Sequence, residues 1–206
     1  MAISPGTTLV DHVVPSRTSR SSNLLKDGLL VLGFSVFLAL CAQISINLPF
    51  TPVPITLQTL GALLTGAALG SKRGTLAMLV YLAEGAAGLP VFAGGKAGFI
   101  YLAGFTAGYL WAIPLAALVT GLLCERGFDR SYLTSALAML PGSLIFYALG
   151  VPWLAITAHM TIGHALVAGM LPFIPGDLLK LVIASALLPS AWRIVKWVKP
   201  GDSLER

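Results

Sequence analysis

Charge is what this sequence has least of. Acidic and basic residues together make up 10% of its 206 residues, against about 25% in a soluble domain, which excludes a chain with every face in water. Cysteine is nearly absent: Cys41 and Cys124 offer neither a disulfide framework nor a metal-ligand spacing. No Gly-x-x-x-x-Gly-Lys-Ser/Thr loop is present, because GGKAG at 94–98 lacks the spacing, so ATP is not cradled by that route. HExxH and Gly-x-Ser-x-Gly are missing too. His159 and His164 are five positions apart, a poor spacing for shared ligation from one helical face. With no nucleophile and base and no metal cluster, an enzyme is not expected; nor is a cofactor, a metal or a nucleic-acid partner. No short apolar core with a small-residue cleavage site precedes the first apolar run, so no removable leader is expected. No sustained internal repeat stands out.

What is present is apolar length. The chain is 56% hydrophobic with a mean hydropathy of +0.87, and residues 28–71 and 131–176 contain no Asp, Glu, Lys or Arg. A helix needs about 20 mostly apolar residues to cross the hydrocarbon of a membrane. The turn chemistry of NLPFTPVP at 47–54 divides the first run in two, so helices are expected at 29–46 and 55–69. Others follow at 75–89, 99–124, 131–150 and 176–192. Six crossings put both termini on one side, together with 11 of the 13 basic residues; only Lys96 and Lys180 escape. The positive-inside rule makes that side the cytoplasm. AITAHMTIGHALVAGMLPF at 155–173 then reads as an outer-surface or re-entrant segment. The expectation is an all-α integral membrane protein. Residues 1–27 form a flexible cytoplasmic tail, 28–193 a six-helix membrane domain with an outward-facing pocket, and 194–206 a basic cytoplasmic tail.

Four charged residues fall on the outer or middle levels of that membrane domain: Glu84, Lys96, Asp177 and Lys180. Ionisable groups at such depth are costly and line functional cavities or pair. Pro175 and Gly176 break the chain before Asp177, so the last helix is expected to begin there, with free N–H groups facing the pocket. Asp177 and Lys180 share one face of its first turn. The helix N-terminus and the ammonium favour an anion, while Asp177 accepts from N–H donors. That combination suits a small molecule with a carboxylate at one end and N–H groups at the other. From these residues alone a helix cap with a snorkelling lysine is an equal reading. Gln58 and Thr59 sit where an amide and a hydroxyl can face the cavity, although an interhelical hydrogen bond serves Gln58 equally. Glu84 reads as paired with a lysine or as a neutral acid.

The stretch PFTPVPITLQTLGALLTGAALGSKRGTLAMLVYLAEGAAGLPVFAGG at 49–95, with TAGYL at 106–110 and LPFIPGDLLK at 171–180, strongly resembles the BioY family. These are the biotin-binding S components of energy-coupling factor (ECF) transporters. The resemblance runs over about residues 29–188. It implies a six-helix S-component fold, with biotin held near the extracellular face and capped by loops. It puts Asp177, Lys180 and Lys96 at the ligand; Gln58, Thr59, Glu84 and Tyr109 complete the candidate substrate-binding set. It also implies partners, a transmembrane T component and two cytoplasmic ATPases, with uptake by toppling of the whole subunit. Ser35, Ala39 and Ala42 are the small residues of helix 1 expected to dock them, helix packing within the subunit being the equal alternative. An S component for another vitamin, or a structural membrane protein, is the rival reading. Two positions depart from the family pattern: Phe105 stands where many members have proline, and Glu84 where an apolar residue is expected.

Overall fold

The computed structural model describes residues 8–14 and 19–198. Among the described residues are seven α-helices and one two-stranded ribbon: α1 (Leu9–Val13), α2 (Arg20–Gln43), β1 (Ser45–Ile46), β2 (Ile55–Thr56), α3 (Gln58–Ala86), α4 (Ala107–Glu125), α5 (Tyr132–Thr157), α6 (Ile162–Gly169) and α7 (Ile174–Val198). Helices α2, α4, α5 and α7 contain segments long and apolar enough to cross a membrane. Of these α4 is the most buried and α2 the least, so α4 is the axis of the bundle.

The two spans expected at 55–69 and 75–89 lie within one element, α3, interrupted at Gly70 by non-helical dihedrals (φ 84°, ψ 179°). The halves fold back on each other. Gln58 Nε2 donates to Tyr81 Oη at 2.7 Å, although 23 residues of straight helix measure about 34 Å. Glycine is required at the reversal, since only it adopts this φ without strain. The side chain of Glu125 closes the turn: its Oε1 accepts from the Ser71 N–H at 2.7 Å and from Ser71 Oγ at 2.9 Å, capping the second half of α3.

Small residues let α3, α4 and α5 pack backbone to backbone, as helices do when lipid supplies no hydrophobic drive between them. A Cβ on Gly66 would lie 2.3 Å from the Ala117 carbonyl oxygen, and one on Gly121 2.5 Å from the Ser71 nitrogen. On Gly142 it would meet Leu63 and Thr120 side-chain atoms at 2.5 Å. Pro114, Pro141, Pro152 and Pro189 lie inside α4, α5 and α7, where neighbouring helices make such breaks tolerable.

Polar contacts gather at the end of the bundle where α4 finishes and α5 begins. Asp129, 1% exposed, accepts from Trp192 Nε1 at 2.5 Å and Arg130 Nε at 2.9 Å. The Arg130 guanidinium stacks over Trp192 at 3.7 Å, and the His12 ring meets Trp192 edge-on at 4.8 Å. Part of the stretch read as a flexible tail is therefore built into the fold. Thr8 and Asp11 form a capping box, Asp11 pairs with Arg73 at 2.7 Å and Arg73 with Asp27 at 3.0 Å. Helix α2 starts at Arg20, earlier than expected, because Ser19 leads directly into it. Residues 1–7, 15–18 and 199–206, which hold the rest of the two expected tails, lie outside the described residues.

Two further helix boundaries also move. The expected start at 99 gives way to a 3-10 turn, Phe99–Ala103, and α4 begins at Ala107, after Gly98 (φ 95°) and Gly104 have broken the path. Helix α5 runs on to Thr157. The following α6, eight residues long, reaches about 12 Å, too short to cross.

Gly66→Ala should force α3 from α4 and lower stability by about 1–3 kcal/mol, the usual range for overpacking; an unchanged melting temperature would mean that the contact yields freely. Burial raises the Asp11 pKa, but the hydrogen bonds and charge of Arg73 and the bonds from Thr8 outweigh it and leave it below the ordinary carboxylate value. Docking of α1 is then fully supported above that ordinary value and is lost as pH falls through the lowered one. Amide exchange at 9–13 should accelerate on acidification in that window, and Asp11→Asn should remove the pH dependence.

Candidate functional site

A cavity partly open to solvent lies at the other end of the bundle. Its walls come from the β1–β2 connection (Val53, Pro54), β2 (Thr56), the start of α3 (Gln58, Thr59), the first half of α4 (Tyr109, Leu110, Ile113), α5 (Phe146, Tyr147) and α7 (Asp177, Lys180), with Tyr101 and Phe173 from the loops. The walls are mainly apolar and aromatic with a few convergent polar groups, as small-molecule sites are.

Asp177 is the centre of the polar group. Its Oδ1 accepts from Lys180 Nζ at 2.8 Å, and Oδ2 accepts from the Tyr147 hydroxyl. Lys180 also donates to Thr59 Oγ1 at 3.0 Å. The i,i+3 spacing on α7 brings the two charges together, and both side chains are largely buried, 20% and 11% exposed. Two of the three ammonium protons are used, and each carboxylate oxygen has accepted one bond. One donor and further acceptor capacity therefore remain for a ligand.

The loops beside the cavity are held by aromatic stacking and by one amide. The Phe92 ring packs on Gly85, where a Cβ would lie 2.1 Å from it, and stacks on Tyr101 at 5.2 Å. Gln43, at the end of α2, accepts from the Gly95 N–H at 3.0 Å and donates to the Phe92 carbonyl at 3.3 Å. Gly94 and Gly95 sit at φ 70° and 71° in the loop so clamped.

Asp177, Lys180, Thr59, Gln58 and Tyr109 thus converge on one cavity. Tyr109 offers it a ring, because its hydroxyl donates to the Gly169 carbonyl at 2.7 Å and its ring lies against Gly150. Lys96 lies outside, on a second, more open cavity that shares Tyr101 and Thr106 with the first; its ammonium is 5.4 Å from the Tyr101 ring centre. Glu84 lines neither. Among the described residues it pairs with no lysine, and its Oε1 accepts from Ser35 Oγ at 3.0 Å.

That bond draws Ser35 toward the inside of the bundle. Ser35 and Ala42 are 0% exposed and Ala39 is packed against the core, so all three face inward, while Leu29, Leu32, Val36 and Leu40 form the exposed side of α2. Helix α7 begins at Ile174, and the Asp177 N–H donates to the Phe173 carbonyl at 2.8 Å, so that N–H is not free for the pocket. Tyr147 and Tyr101 were missed from sequence; a tyrosine in an otherwise hydroxyl-poor apolar run, as in LIFYALG at 144–150, is the signal for Tyr147, since its buried O–H requires an acceptor.

A profile of the BioY family matches residues 15–197. The chain belongs to the BioY family. Among relatives, the biotin transporter BioY of Rhodobacter capsulatus is 44% identical over 187 residues, covering 82% of this chain and 96% of the relative. The biotin transporter BioY of Rhizobium etli is 39% identical over 160 residues, covering 74% and 85%. A crystal structure of the S-component for biotin from an ECF-type ABC transporter superposes with a TM-score of 0.77 at 25% identity, over 86% of this chain and 95% of that one. Every cavity residue of this BioY-family member falls within the matched stretch.

Removing one member of the charge pair leaves the other buried without its partner. Lys180→Met should therefore lower unfolding free energy by about 3 kcal/mol, and Asp177→Asn with Lys180→Met by clearly less. Equal losses in a denaturation series would show that the pair is already solvated.

Proposed function

We propose that this protein is the biotin-binding, substrate-capture subunit of a vitamin uptake transporter, an S component of the ECF type, which moves biotin into the cytoplasm. The observation that carries this reading is the Tyr147–Asp177–Lys180–Thr59 network on an apolar cavity, in a chain that shares its family and fold with biotin transporters. Biotin has a carboxylate on an apolar chain and a ureido ring with two N–H donors. Lys180 retains a donor for the one, Asp177 acceptors for the other, and the aromatic walls suit the carbon skeleton.

The function is transport without chemistry on the ligand. With no phosphate-cradling loop in the sequence, ATP hydrolysis falls to two cytoplasmic ATPase subunits joined through a transmembrane T component; the ECF-type origin of the structural neighbour supports that set of partners. For Ser35, Ala39 and Ala42 their burial supports packing inside the subunit, the alternative to docking. Counting the two halves of α3 with the four long helices gives six crossings, with both termini cytoplasmic, in the cell's inner membrane. The basic residues at 72, 73, 126, 130 and 193, at the end away from the cavity, support that orientation. Residues 28–193 form the membrane domain that binds both biotin and lipid, with cytoplasmic segments before and after it. Of the sequence-derived ligand set, Asp177, Lys180, Thr59, Gln58 and Tyr109 form the site, and Lys96 stands at its mouth.

Calorimetric titration of the detergent-purified chain with biotin should give tight one-to-one binding, and riboflavin and thiamine should give none. Asp177→Asn and Lys180→Ala should each weaken biotin by about tenfold or more, from the unpaired partner each leaves. Lys96→Ala should lose less, being more solvated. Full affinity in both pocket variants would overturn the site, and silence toward biotin the substrate.

A further inference from the structure

Gln58 reaches the cavity with one side of its amide only. On the other side its Nε2 donates at 2.7 Å to Tyr81 Oη, and Tyr81, 0% exposed, is not part of the cavity wall. The Tyr81 hydroxyl itself donates at 3.1 Å to the Val91 carbonyl. A carbonyl only accepts, so the single hydroxyl proton is committed there, and the same oxygen must act as acceptor toward Gln58. The polarity of the chain is therefore fixed from Val91 outward: the NH2 of Gln58 faces Tyr81, and its Oε1 faces the opposite way. On that side stands Thr56, itself a cavity residue, whose hydroxyl lies at 3.5 Å from Oε1, the weak limit of a hydrogen bond. The backbone N–H of Gln58 donates to Thr56 Oγ1 at 3.2 Å, which anchors this arrangement locally.

We propose that Tyr81 is a positioning residue for ligand specificity: by accepting from Gln58 it locks the amide with its oxygen toward the cavity, so that the site selects a ligand presenting an N–H at that point. An amide rotated by half a turn would present NH2 instead and select an acceptor. In the locked state the rotated form places Oε1 against a hydroxyl oxygen whose proton is held elsewhere, two acceptors in contact, and is disfavoured. This inference rests on the proposed biotin function, since the ureido ring supplies the N–H.

The test compares affinities for biotin and for biotins methylated on one or other ureido nitrogen, each titrated into the purified chain, with melting temperatures as a check on folding. The unaltered protein should prefer biotin to one of the methylated forms by about tenfold, the weight of one such hydrogen bond to a buried group. Tyr81→Phe should reduce that preference about fivefold or more, and Gln58→Leu should reduce it to the same level without touching Tyr81. Gln58→Glu has an oxygen on both sides, so orientation no longer matters; adding Tyr81→Phe to it should leave its preference unchanged. A structural role alone for Tyr81 would act equally in both backgrounds, a distinction that the double-mutant cycle reads directly. An unaltered preference in Tyr81→Phe and Gln58→Leu, or an equal change in both backgrounds, overturns the inference while leaving biotin capture standing. No biotin binding by the unaltered protein overturns the proposed function and this inference with it.

Discussion

Where Gly66 meets Ala117 and Gly121 meets Ser71, no side chain separates α3 from α4. In lipid, helices gain nothing by hiding apolar side chains from one another, so dispersion between closely approached backbones holds them. That approach fixes the position of the Gly70 turn, brings Glu125 onto the Ser71 N–H, and sets the separation between the start of α3 and the start of α4. The cavity lies in that separation. Its floor is therefore defined by glycines some distance below it, before any polar residue is considered.

Above the floor the charges are arranged as a closed set. Asp177 and Lys180 satisfy each other, and Tyr147 and Thr59 take up one further bond each. A pair of this kind is costly to bury without such support. Mutual satisfaction makes the buried pair tolerable, while one ammonium donor and further carboxylate acceptors stay available in the cavity.

Much of this was legible in sequence, for identifiable reasons. Uncharged runs and their basic flanks mark helices whatever their packing, so the long helices and the division of α3 beside Lys72 and Arg73 were visible. Asp177 and Lys180 were visible because a charge in an apolar run needs a partner. Helix ends were less so: the 3-10 turn at Phe99–Ala103 is as apolar as a helix, and what sets it apart is the positive φ of Gly98 before it and the extended backbone of Gly104 after it. The stripe of Ser35, Ala39 and Ala42 marks one face of α2, but small residues suit an internal face and an external dock equally, and spacing does not say which. Tyr81 and Tyr147 carry no periodic signal at all; their hydroxyls matter through partners 10 and 30 residues away.

The reversal at Gly70 bears on how the chain is made. The halves of α3, at 58–69 and 71–86, measure about 18 and 24 Å at 1.5 Å per residue, short of the roughly 30 Å hydrocarbon layer. In the six-crossing arrangement neither half is a self-sufficient insertion signal. Two such short halves would enter the bilayer as one hairpin, with the Gly66–Ala117 and Gly121–Ser71 contacts to α4 completing its packing afterwards.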